Sequence, residues 1–113
     1  MQFIYHITNS VAWKQAQQSG FYQGDTLATE GFIHCSTGEQ VAQTANRFYQ
    51  GQPGLLLLEI APSKVTAEIK YEAAANDELF PHIYGPLNIE AVSQTFGFEP
   101  NAEGDFTLPT GVR

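Results

Sequence analysis

Four leucines in a row, followed by Glu59 and Ile60, occupy the middle of the sequence. Six residues is the length of a strand, and the run shows no alternation that would turn one face to water. It is expected to be a central strand buried on both faces. The rest of the chain is read for the elements that surround it.

Residues 2–8 read as a first strand, with Phe3, Ile4, Tyr5 and Ile7 favouring extended backbone. Asn9 is placed to cap a helix over 10–19, and Gly20 to stop it in the left-handed conformation. Val11, Ala12, Trp13 and Ala16 supply the buried side of that helix. Residues 21–30 read as a loop whose leading aromatics, Phe21 and Tyr22, fold back onto the body as a lid or an anchored connector.

Residues 32–36 make a second strand. Alternation puts Phe32, His34 and Ser36 on one face, and Ile33 and Cys35 on the other. Thr37 and Gln40 stand at capping-box spacing, so a helix is expected over 38–50, with Gly51 as its stop. Its core face is Val41, Ala42, Ala45, Phe48 and Tyr49.

Beyond the leucine run, Pro62-Ser63-Lys64 turns the chain and residues 65–72 alternate as a half-exposed strand. Pro81, Gly85 and Pro86 predict an irregular segment with limited ladder pairing. Further strands are expected within 89–98 and at 105–108. The order β-α-β-α-β-β-β-β describes an α+β fold, one compact domain over 1–113 with a mostly antiparallel β-sheet and two helices.

Composition narrows the function. A chain of 113 residues, 42% apolar and 15% charged, builds a globular core without staples or metal. No apolar run reaches the roughly 18 residues of a membrane span. No basic segment followed by an apolar region precedes the first strand, so no secretory signal is expected. Cys35 is the lone cysteine, and its place in the alternation predicts a buried thiol. A cytoplasmic location follows as the expectation. Twelve acidic residues against five scattered basic ones give a net charge of −7, which disfavours DNA or long RNA as partners. A small phosphate ligand needs only one or two cations and some backbone amides, so a nucleotide stays open.

The three histidines all lie in strand-like apolar segments, each with a hydroxyl within two positions. His6 has Tyr5 and Thr8, His34 has Ser36, and His82 has Tyr84. Brought together, they make a polar pocket whose protonation is tunable near neutral pH. His34 and His82 are therefore the catalytic candidates. His6, Thr8, Ser36 and Tyr84 are candidate ligand-binding groups, joined by Arg47 if the second helix turns it towards a phosphate. A Ser-His nucleophile is not expected, because same-face neighbours on one strand lack the attack geometry. No two histidines stand at a short ligand spacing, so no metal site is expected.

Ile4-Tyr5-His6-Ile7-Thr8, Gly31-Phe32-Ile33-His34-Cys35-Ser36-Thr37, Glu72 and Phe80-Pro81-His82-Ile83-Tyr84-Gly85-Pro86-Leu87 together resemble the small bacterial proteins of domain of unknown function family 952, over residues 4–109. That family has no established activity and is similar to the ADP-ribosyltransferase fold, a split β-sheet domain that clamps NAD in a cleft. The resemblance implies NAD, or an ADP-ribose-type molecule, as substrate. Tyr5-His6-Ile7-Thr8 is similar to the Tyr-His-Gly-Thr strand of such transferases, with Ile7 in place of glycine. His34 stands near where an aromatic would stack on nicotinamide. The resemblance also implies a late-strand glutamate that stabilises the transition state, for which Glu72 and Glu90 are the catalytic candidates.

Three readings follow. The chain is a small-ligand pocket, nucleotide-like in specificity; or an ADP-ribosyltransferase-like enzyme; or a non-catalytic interaction module or homo-oligomer. The first is preferred.

Overall fold

The computed structural model describes residues 2–74 and 76–112. In chain order the elements are β1 (Ile4–Asn9), α1 (Ser10–Ser19), β2 (Phe21–Tyr22), α2 (Thr26–Glu30), β3 (Ile33–His34), β4 (Ser36–Thr37), α3 (Val41–Phe48), β5 (Leu55–Ile60), β6 (Glu68–Ala73), β7 (Leu79–Tyr84), β8 (Leu87–Asn88) and β9 (Val92–Phe98). Short 3-10 turns occupy Pro62–Lys64 and Ile89–Ala91.

The leucine run is β5, an inner strand of a four-stranded sheet ordered β4-β1-β5-β9. Strand β1 lies antiparallel beside it over its whole length, from Ile4 opposite Ile60 to Asn9 opposite Leu55. Its two faces feed two cores. Leu55 and Leu57 join Tyr5, Ile7, Phe98 and Phe106 under Val41 and Ala45 of α3. Leu58 and Ile60 join Ile4, Ala16 of α1, Tyr22, Ile33, Ile83 and Leu87. Each fully buried leucine contributes about 1.5–3 kcal/mol relative to exposure. Burial on both faces is why this strand tolerates so little polarity.

Glu59 is the exception within it. It is 1% exposed. Its Oε2 accepts from the Tyr5 hydroxyl at 2.8 Å, and its Oε1 from Ser93 Oγ at 2.7 Å and Gln94 Nε2 at 3.0 Å. These donors replace the water the carboxylate gives up.

A three-stranded sheet, ordered β3-β7-β6, and a two-stranded ribbon, β2-β8, complete the α+β architecture, and the pairings in all three are antiparallel. The first helix is capped as its sequence predicts: Asn9 Oδ1 accepts from the Ala12 amide at 2.8 Å, and Gly20 at φ 92° closes the other end. No helix among the described residues is long and apolar enough to cross a membrane.

Several expectations are corrected. The two predicted helices become three among the described residues, because Thr26–Glu30 forms a short α2 inside the expected loop, closed by Gly31 at φ 88°. The predicted 32–36 strand is broken at Cys35. Strand β3 belongs to the three-stranded sheet, whereas β4 pairs with β1 in the other. Because Thr37 is held in β4, α3 starts at Val41 rather than at 38, and it ends at Phe48, ahead of Gly51. Half of the capping box survives: Gln40 Oε1 accepts from the Thr37 amide at 3.0 Å, closing a turn instead of a helix.

Pro81 sits in β7, the central strand of its sheet, where irregular backbone was predicted. In an antiparallel strand a residue's carbonyl and nitrogen point the same way. The Pro81 carbonyl accepts from the Cys35 amide at 3.0 Å, so the missing donor also faces Cys35, where β3 has already ended. The ladder loses little.

The strand predicted at 105–108 does not form. Asn46 of α3 takes the place of a neighbouring strand, its Oδ1 accepting from the Phe106 amide at 2.6 Å and its Nδ2 donating to the Phe106 carbonyl at 3.0 Å. Phe106 is buried all the same, at 2% exposure.

Candidate functional site

The chain passes from one sheet to the other over residues 33–37, and a cleft of about 800 Å³ opens beside that crossing. One wall comes from β1 with His6 and Thr8, another from the crossing with His34 and Ser36, a third from Gln40 just ahead of α3 and from Thr44 and Arg47 within it. Phe80 and His82 of β7 and the 22–26 segment complete it.

His6 is fixed by two partners. A carbonyl only accepts, so its Nδ1 carries the proton and donates to the His34 carbonyl at 2.5 Å. The neutral ring's Nε2 then accepts from the Tyr22 hydroxyl at 2.8 Å, and Tyr22 lies 2.9 Å from Thr8 Oγ1. Burial holds the imidazole near pKa 4 against 6.5 ordinarily, opposed by the His34 carbonyl. Burial also pushes the Tyr22 phenol up to about 12. At neutral pH the chain of Thr8, Tyr22 and His6 is uncharged.

The opposite side is charged. His82 Nδ1 donates to Glu72 Oε1 at 2.8 Å, and the Tyr84 hydroxyl donates to the same oxygen. These bonds, Tyr84's first, hold the Glu72 carboxyl below the usual carboxylate range, and Glu72 in turn holds the Tyr84 phenol above its own. Phe32 stacks on the His82 ring with centroids 4.1 Å apart and planes 19° from parallel. The His34 ring is 5.2 Å from that of His82, because the two residues are cross-strand partners. His34 Nε2 lies 3.2 Å from Glu30 Oε2, with both side chains half exposed.

The predicted residues separate accordingly. His6, Thr8, His34, Ser36, Arg47 and His82 line the cleft. Glu72 and Tyr84 stand behind His82 rather than in the wall. Glu90 lies exposed on the 3-10 turn after β8, away from the cleft. Cys35 points into the core, where burial raises its thiol far above the usual range. Arg47, a cation in the cleft wall, has its guanidinium 5.2 Å from the Phe48 ring. Among the described residues no three His, Cys, Asp or Glu side chains are grouped to hold a metal ion.

Two residues escaped the sequence reading. Tyr22 links His6 to Thr8, and the only hint was the pair of aromatics opening residues 21–30. Gln40 ties α3 to the 76–79 turn through Nε2, which donates to Glu78 Oε2 at 3.0 Å and to the Leu79 carbonyl at 2.8 Å. Its spacing from Thr37 was visible; its second role was not.

Residues 7–95 match the sequence profile of a family described as protein of unknown function, DUF952. The chain belongs to the DUF952 family. Its fold is similar to that of protein CC0527 from Caulobacter crescentus, in two crystal structures, one of them a double mutant, each with TM-score 0.86, 33% identity and 94% of both chains covered. The solution NMR structure of the same protein superposes with TM-score 0.79 at 33% identity, over 91% of this chain and 90% of that one. No protein with a curated description matches this DUF952 chain.

Proposed function

We propose that the cleft is a binding site for a small, nucleotide-like ligand. The observation that supports this reading is convergence. Three histidines from separate strands, with the hydroxyls of Thr8, Tyr22 and Ser36 and the guanidinium of Arg47, line one cavity of about 800 Å³. That volume suits a drug-sized or nucleotide-sized molecule. Its polar groups suit ribose and amide recognition, and Arg47 suits one phosphate.

An ADP-ribosyltransferase-like activity is the second reading. It is favoured by the position of the cleft, beside the point where the chain leaves one sheet for the other, with Tyr5-His6-Ile7-Thr8 on one wall and residues 31–37 on the next. In that reading Glu72 is the remaining acid candidate, since Glu90 is remote.

NAD, ADP-ribose, nicotinamide and nucleoside monophosphates titrated into isotope-labelled protein test both readings. Shifts clustered on His6, His34, Ser36, Arg47 and His82, weakened in Arg47→Ala, are the expected result. Release of nicotinamide from NAD, abolished in Glu72→Gln, selects the second reading. Absence of shifts at millimolar ligand overturns the nucleotide-like reading.

A further inference from the structure

The three histidines are not equivalent. His6 spends both ring nitrogens on the protein, one on the His34 carbonyl and one on Tyr22. His34 is half exposed and meets an equally exposed Glu30. His82 is different: its side chain is 12% exposed in the cleft wall, its Nδ1 is committed to Glu72, and among the described residues its Nε2 has no protein partner.

We propose that His82 is the proton acceptor of a reaction in the cleft, oriented by Glu72 as its positioning residue, with a hydroxyl of the bound ligand as the proton donor. A carboxylate cannot donate, so the bond to Glu72 places the single proton of neutral His82 on Nδ1 and leaves a lone pair on Nε2. Phe32, stacked at 4.1 Å, fixes the plane of the ring. Tyr84, bonded to the same carboxylate oxygen, keeps Glu72 ionised and in place.

In the step itself the ligand's O–H bond breaks, its proton goes to Nε2, and the electron pair stays on the ligand oxygen. The imidazolium so formed is held against the Glu72 carboxylate by a hydrogen bond that is now also an ion pair, stronger than the bond the neutral ring made to the same carboxylate. The ligand class is therefore one that brings a hydroxyl within reach of Nε2, such as a ribose derivative. This rests on the cleft being the ligand site.

The test reads the ring directly. Two-bond proton–nitrogen correlations of the histidine side chains report which nitrogen carries the proton. The expected result is an Nδ1–H tautomer at His82 in the wild type and in Tyr84→Phe, and its loss to a mixture in Glu72→Gln. In a His34→Gln background, diethyl pyrocarbonate is expected to acylate His82 at Nε2, and Glu72→Gln to abolish that selectivity. An Nε2–H tautomer in the wild type, or no acylation at Nε2, overturns the proposal. Ligand titration reads the His6 and Ser36 amides independently. Shifts there with an Nε2–H His82 therefore overturn the proton-acceptor role and leave the binding site standing.

Discussion

The imidazole of His6, on β1, donates to the backbone carbonyl of His34, the last residue of β3 in the three-stranded sheet. One side chain thus joins the sheet it belongs to with the one it faces. The bond needs a neutral ring only in part: Nδ1 donates in either state, but a protonated Nε2 can no longer accept from Tyr22.

Acid should therefore loosen the fold at this point. The folded pKa of His6 is about 4 against 6.5. Between those values the unfolded chain binds more protons, so this stability is complete above 6.5 and is lost as pH falls towards 4. The full loss is about 3 kcal/mol. Melting temperatures measured from pH about 7 to about 4.5 should fall, and more gently in His6→Gln. Parallel curves for the two proteins would assign the acid sensitivity elsewhere.

Tyr5→Phe removes a donor to the buried carboxylate of Glu59. Leaving a buried acceptor short of one donor costs about 1–3 kcal/mol. Urea unfolding should register that loss with an unchanged slope; a loss near zero would show that Ser93 and Gln94 suffice.

Asn46→Ala removes both bonds to the Phe106 backbone. The expected cost is about 1–3 kcal/mol, with faster amide exchange at Phe106. Unchanged exchange would mean that packing of the Phe106 ring alone fixes the segment.

Glu72→Gln should bring the Tyr84 phenol back down towards 10, because the carboxylate is what raises it. Ultraviolet difference spectra over alkaline pH follow this titration, with Tyr84→Phe identifying the band. No shift between wild type and Glu72→Gln would break the assigned contact.

What the sequence made legible were features governed by neighbours along the chain. The burial of Leu55–Ile60 follows from composition, and the bounds of α1 follow from Asn9 and Gly20. Glu59 was legible in principle, since an acid inside a strand buried on both faces must find donors, but naming Tyr5 and Ser93 required the register. Pro81 misled because its effect depends on which neighbour has already ended. The strand expected at 105–108 failed because the partner of Phe106 is a side chain 60 positions away. His6, His34 and His82 line one cleft, a convergence that their strand-like settings left open because it depends on sheet pairing far along the chain. Glu90 was misplaced because a three-residue turn, too short to show a period, interrupts the chain before β9.

Cys35 lies between a residue paired to one sheet and a residue paired to the other, and its own amide bonds to Pro81. Neither sheet can therefore melt while the other stays intact without pulling on that buried link. The protein should unfold as one cooperative unit, with amides of β1 and β7 exchanging at the same global free energy. A ligand seated beside the crossing would protect both sheets together.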